Sequence, residues 1–279
     1  MLKAMKKNKY IQTIAVASGK GGVGKTSLAA NLAVAMRQGG KNVLVVDADL
    51  GLSNIDVLLH LAPRYTIQHV LKGEKPLKEV IIEGPHGIKI LPAGSGVQEL
   101  TALDEFQRLR ILEEFNTLGD DLDVLLIDTA AGVSENVAFF CIAAQEIIIV
   151  TSPEPTAITD AYALIKVLST RYQEKDFRVL VNSARGESEG LDVFRRLSVA
   201  AGRFLNVSLD YLGYVPHDDV VQRAVQAQMP FIDLSPHSPA SRRVMEIAGR
   251  LDQQKAHVKG NIQFFIGSLV SARGSAEMR

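Results

Sequence analysis

The chain has 279 residues, with 31 Lys and Arg offset by 31 Asp and Glu, and 47% of its residues are hydrophobic. That size suits one large folded domain or two average ones, and zero formal charge argues against a domain devoted to wrapping nucleic acid. One cysteine, Cys141, excludes a disulfide framework and any metal site built on several thiolates.

In chain order, Lys3, Lys6, Lys7 and Lys9 make a basic arm over residues 1–9. The apolar run before Gly19 is too short for the core of a signal peptide. No segment reaches the roughly 18–20 apolar residues of a membrane-spanning helix, so a cytoplasmic protein is expected. Short runs rich in Val and Ile at 14–18, 43–47, 88–91, 124–128, 147–151, 178–182 and 211–215 read as strands buried on both faces. Amphipathic segments at 26–38, 104–118, 157–172, 191–205, 218–228 and 241–253 read as the helices between them. This alternation runs without a Pro/Gly/Ser linker or an internal repeat. It predicts one doubly wound α/β domain over 10–253 with a mostly parallel sheet, followed by a tail over 254–279.

The first strand-to-helix connection is Gly19-Lys20-Gly21-Gly22-Val23-Gly24-Lys25-Thr26, a G-x-x-x-x-G-K-[ST] phosphate loop. Its glycines let backbone N–H groups wrap a phosphate at a helix N-terminus, a place that already favours anions. Lys25 is the expected partner of the β- and γ-phosphates, and the Thr26 hydroxyl a ligand of Mg²⁺, with Ser27 following in the first helical turn. Two strands end in carboxylates on the same side of the sheet. Asp128 closes an apolar run and is the expected holder of the Mg²⁺ shell. Asp47 and Asp49 close another, and strand alternation points them the same way.

With Lys20 in the loop, the motif resembles the deviant Walker A of the MinD/ParA ATPases, a P-loop NTPase family. The segment from Asp47 to Asp56 resembles the MinD switch I. Asp128-Thr129-Ala130-Ala131-Gly132 and the run from Thr159 to Lys166 resemble the FleN/FlhG branch, which regulates flagellar number. The resemblance implies an ATP- and Mg²⁺-dependent homodimer that hydrolyses ATP slowly, as a switch. Catalytic roles fall to Lys20, which reaches the partner's phosphates, to Lys25, and to Asp49, which orients water. Thr26, Asp47 and Asp128 serve the metal, and Asp128 with Gly132 forms switch II. Asn182, Pro216 and Asp218 match the adenine side, and Glu154 matches an acid of the dimer interface. Ala130 stands where the MinD switch II usually carries Pro, and Ser183-Ala184-Arg185 follows Asn182 in place of the common Asn-Arg pair.

In the tail, Ile262, Phe265, Ile266, Leu269 and Val270 fall at i, i+3, i+4, i+7 and i+8, widened by Phe264. They predict an amphipathic helix over about 261–271. Its length suits a helix lying on a membrane surface, the role the resemblance implies; packing on the body or on a protein partner satisfies the same pattern. The implied partners are a second copy of the chain, an anionic membrane surface at the inner face of the cell membrane, a σ54-type flagellar activator (FleQ/FlrA-like) and an FlhF-like GTPase in the same pathway. No sequence-specific nucleic acid is expected. A division-site ATPase of the MinD type and a DNA-segregation ATPase of the ParA type are the alternatives on the same fold.

Overall fold

The computed structural model describes residues 10–51, 53–94, 103–118, 121–252 and Phe264. The chain begins with β1 (Gln12–Ser18), α1 (Lys25–Gln38) and β2 (Val43–Ala48). Three short helices follow, α2 (Ile55–Leu58), α3 (Ile67–Leu71) and α4 (Leu77–Val80), then the short strands β3 (Ile82–Glu83) and β4 (Lys89–Leu91). Regular alternation resumes with α5 (Glu105–Asn116), β5 (Val124–Ala131), α6 (Glu135–Ala143), β6 (Glu146–Thr151) and α7 (Pro155–Tyr172). It continues through β7 (Asp176–Ala184), α8 (Glu187–Phe204) and β8 (Ser208–Pro216), and α9 (Asp219–Gln226), α10 (Phe231–Leu234) and α11 (Pro239–Asp252) complete the order.

Among the described residues the strands form one eight-stranded sheet in the order β3-β4-β2-β5-β1-β6-β7-β8. Every neighbouring pair is parallel except β3 with β4 at one edge. One apolar cluster lies between the sheet and α3 to α8, the other between the sheet and α1, α2 and α9 to α11. Burial on both faces is why β1 is covered along its whole length and β2 likewise, and why their sequences show no polar alternation. This is the α/β P-loop NTPase architecture. The chain order reverses around β1, so the loop after β1 opens at a topological switch point, where such sheets bind ligands.

All seven expected strands and six expected helices are present, with shifted ends. β5 runs three residues past Asp128, to Ala131. α6 carries no helical periodicity in its sequence because nearly every side chain in it is buried, from Asn136 to Ala143 except Ile142. The short helices α2, α3, α4 and α10 have at most five residues each, too few to display a period.

One expectation is corrected. Phe264, assigned to the lipid-facing stripe, is 1% exposed. Its ring packs edge-on to Phe115 of α5 at 4.9 Å and to Phe139 of α6 at 6.4 Å, and its N–H donates to the Ala143 carbonyl at 3.1 Å. The body thus takes this benzyl group out of water, the service that lipid was expected to supply. Ile262, Phe265, Ile266, Leu269, Val270, the helix expected over 261–271 and the basic arm over 1–9 lie outside the described residues.

Candidate functional site: the phosphate loop and its carboxylates

The loop between β1 and α1 is held from two sides. A Cβ at Gly19 would lie 2.0 Å from the backbone oxygen of Asp160 in α7, so only glycine permits that approach. Gly24 has φ +87, a left-handed conformation, and a Cβ there would lie 2.3 Å from the Asn182 amide nitrogen. That amide donates to the Val23 carbonyl at 2.8 Å, fastening the loop to the end of β7. Val23 itself turns into the core. Gly24 stands at the N-cap of the fourteen-residue α1 with no side-chain cap and no acid in the first turn. The helix N-terminus is left electropositive, as an anion site requires. Gly21, Gly22, Gly24, Lys25, Thr26, Ser27 and Asp49 line a cleft of about 490 Å³.

Behind the loop lie the charges. Asp47 and Asp128 occupy paired positions on the neighbouring parallel strands β2 and β5, each 1% exposed. Lys25, also buried, donates to Asp128 Oδ1 at 2.6 Å. Burial raises the Asp128 carboxyl, and the Lys25 ammonium and the Thr26 hydroxyl pull it back only in part. Asp47 is pushed up to about 7, first by burial and then by the charge of Asp128. Lys25, Thr26 and Asp128 therefore meet as the sequence places them.

Asp47 does more than expected. Its Oδ2 accepts from Ser53 Oγ at 2.9 Å and from the backbone N–H groups of Asn54 at 3.0 Å and Ile55 at 3.2 Å; its Oδ1 accepts from Asp49 N–H at 3.1 Å. Both oxygens are thus engaged in pinning the loop that carries Asp49 and the start of α2. Ser53, which also bonds Asp56 Oδ1 at 2.9 Å, belongs to this anchor without any motif to announce it.

Lys20 points elsewhere. Its ammonium bonds Glu154 and also Thr156 Oγ1 at 2.9 Å, at the start of α7, and it is a third exposed. Glu154 and Lys20 are thus brought together, away from Lys25 and Asp128. At the other end of the loop, Gly22 and Gly24 share a second cleft of about 560 Å³ with Asn182, Pro216 and Asp218. Asp218 caps α9, accepting from Val220 N–H at 3.0 Å, and also accepts from Ala240 N–H at 3.2 Å. These bonds hold its carboxyl below the usual range, against the opposing effect of partial burial. Ser183, with φ +58, bonds His217 Nδ1 at 3.0 Å across the same cleft, a contact no sequence pattern foretold.

Three features fit a magnesium nucleotide: an uncapped helix N-terminus behind a glycine loop, a buried lysine within reach of it, and two buried carboxylates whose mutual repulsion a cation would relieve. Mg²⁺ ordinarily takes one or two protein oxygens and completes its shell with water and phosphate, which Thr26 and Asp128 would permit.

Residues 9–252 match the ParA family model described as a NUBPL iron-transfer P-loop NTPase. The antiactivator FleN of Pseudomonas aeruginosa is 44% identical over 270 residues, spanning 95% of this chain and 96% of that protein. The chain belongs to the MinD/ParA family of P-loop ATPases. A further MinD/ParA relative, the flagellum site-determining protein YlxH of Helicobacter pylori, is 35% identical over 239 residues, spanning 85% of this chain and 81% of that one. Among solved structures, the MinC:MinD cell division complex of Aquifex aeolicus matches with TM-score 0.72 and 28% identity, over 89% of this chain and 98% of that one. The septum site-determining protein MinD of Pyrococcus horikoshii, complexed with Mg-ADP, matches with TM-score 0.68 and 26% identity, over 88% and 97%. MinD/ParA membership and the intact phosphate loop make this chain an ATPase, and its general role is that of an ATP-dependent regulatory protein of the family.

Proposed function

We propose that this chain is a switch that dimerises on Mg-ATP and uses slow hydrolysis as a timer, regulating the number and placement of polar flagella. The observation that carries the dimer is the position of Lys20. A lysine within the phosphate loop whose ammonium lies at the exposed rim, on Glu154 and Thr156, is placed for a second copy's phosphates better than for its own. Such a cation stabilises transition-state charge only after assembly, so hydrolysis follows dimerisation.

In this reading the N–H groups of 21–26 and Lys25 hold the β- and γ-phosphates, and Thr26 and Asp128 hold the metal, with Asp47 supporting its shell. Asp49, kept in place by Asp47, orients the attacking water. Asn182 reads the adenine, and the Pro216–Asp218 loop shapes that end of the cleft. Bound Mg²⁺ would supply charge neutralisation at the phosphate oxygens. The tail is the output. With Phe264 docked between α5 and α6, the remaining tail positions Ile262, Phe265, Ile266, Leu269 and Val270 form the lipid face, and dimerisation presents two tails to an anionic membrane, which gain by effective concentration where one alone is marginal. The protein is then peripheral at the inner membrane surface in ATP and cytoplasmic otherwise.

The flagellar reading is supported by the antiactivator FleN and the flagellum site-determining YlxH. An antiactivator implies restraint of a transcription activator, here of the FleQ/FlrA-like σ54 type, with an FlhF-like GTPase in the same pathway. A division-site role is the second reading, supported by the cell-division MinD structures that match nearly the whole chain. Iron transfer forms no part of the proposal, because the single cysteine is buried in the core. Deleting the gene separates the two readings. Extra flagella at normal division support the first, and minicells with normal flagellation replace it with the second.

A further inference from the structure

Two short helices at the rim of the cleft end in the same unusual way. α2 finishes at Leu58 and α9 at Gln226, and each is followed two residues later by a left-handed residue that is not glycine: His60 with φ +53 and Gln228 with φ +51. Glycine or asparagine ordinarily takes this place, because a Cβ there costs free energy. The two side chains meet. Gln228 Oε1 lies 2.9 Å from His60 Nδ1, which must donate because the amide oxygen only accepts, and Gln228 Nε2 donates to the Val57 carbonyl at 2.8 Å. The strained position is therefore filled by a residue whose long amide is in use.

The place of this bond matters as much as its strength. α2 is the helix whose first N–H is pinned by Asp47, so it carries the far end of the Asp49 loop. α9 is capped by Asp218 at the base end; Val221 and Val225 fall at i and i+4 along it, and Gln228 follows just past its end. Val221 lines the cleft at Asn182, while Val225 and Gln228 line the cleft at the phosphate loop. One helix thus spans both ends of the nucleotide site.

We infer that Gln228 is a positioning residue for the ATP switch: it clips α2 to α9 and so couples occupation of the base end to closure of the Asp49 loop over the phosphates. The inference rests on the reading of the cleft as an ATP site. Asp49 lines the cleft at the phosphate loop, so the effect is expected to be large for a triphosphate and small for a diphosphate.

The test is stopped-flow release of fluorescent mant-ATP and mant-ADP, with Mg²⁺, from the full chain and from Gln228→Gly and Gln228→Asn. Both replacements suit a left-handed backbone, so folding is retained, and neither side chain reaches Val57 and His60 together. The expected result is mant-ATP release faster by about fivefold, the order that two exposed hydrogen bonds allow, with mant-ADP release within about twofold and unchanged melting temperature. Equal acceleration for both nucleotides, or none, overturns the clip. Failure of the unaltered chain to bind either nucleotide overturns instead the reading beneath it.

Discussion

The two ends of the nucleotide cleft are built on different physics. At the phosphate end the working groups are buried charges fixed by sheet register: Asp47 beside Asp128, with Lys25 closing on the latter. At the base end they are exposed or half-buried polar side chains on loops, such as Ser183 on His217 and the Asp218 cap. Charges in low dielectric interact strongly and cannot be left unpaired, whereas exposed hydrogen bonds exchange readily with water. Substitutions at the phosphate end should therefore disturb binding and stability together. Those at the base end should tune affinity with the fold untouched.

The largest effect should come from Lys25→Ala, which removes the phosphate partner and leaves Asp128 buried without its cation. Breaking a buried pair costs about 3–5 kcal/mol. Because the Asp128 carboxyl is raised by burial, protonation relieves part of this in acid, so the loss in melting temperature should grow as pH rises. A loss independent of pH breaks the argument. Nucleotide binding by calorimetry should vanish in the same variant.

Next comes Lys20→Ala. Its ion pair is exposed and worth under about 1 kcal/mol to the fold, so melting should hardly change, yet ATP-driven dimerisation and hydrolysis should be lost while monomeric nucleotide binding persists. Retained turnover and dimerisation would remove the trans role of Lys20.

The Asp47 carboxyl gives a third, smaller effect. A group raised to about 7 from an ordinary 3.8 stabilises the fold fully when protonated, below the unfolded value, and that contribution is lost as pH rises through 7. Metal- and nucleotide-free protein should lose stability from pH 5 to pH 8, by up to about 1.4 kcal/mol per pH unit for one proton. Asp47→Asn should flatten that slope in chemical denaturation; an unchanged slope assigns it elsewhere. The smallest effect belongs to the base end, where His217→Ala should shift ATP affinity by no more than about threefold, with an unaltered melt, since one exposed hydrogen bond is removed.

The same contrast decides what the sequence discloses. Lys25, Thr26 and Asp128 are legible because a strand, a turn and a helix of fixed lengths place them, and parallel register does the rest. Ser53 and Gln228 are not, since each acts through a contact between segments distant along the chain or folded back on a loop. α6 escaped for a related reason. Its Phe139 packs on Phe264 and nearly every other side chain is buried, so the polar stripe that marks a surface helix is missing. Phe264 itself reads as one more apolar residue of an amphipathic stripe, and periodicity cannot say whether lipid or protein covers such a face.

The central claim is that ATP, and not ADP, joins two chains through Lys20. Light scattering of the purified protein on a sizing column, in Mg-ATP and in Mg-ADP, tests it most directly, with Asp49→Ala to slow hydrolysis during the run. The account predicts the mass of two chains in ATP, of one chain in ADP, and of one chain in ATP when Lys20→Ala is added. One mass throughout, or a dimer indifferent to nucleotide or to Lys20, would contradict it.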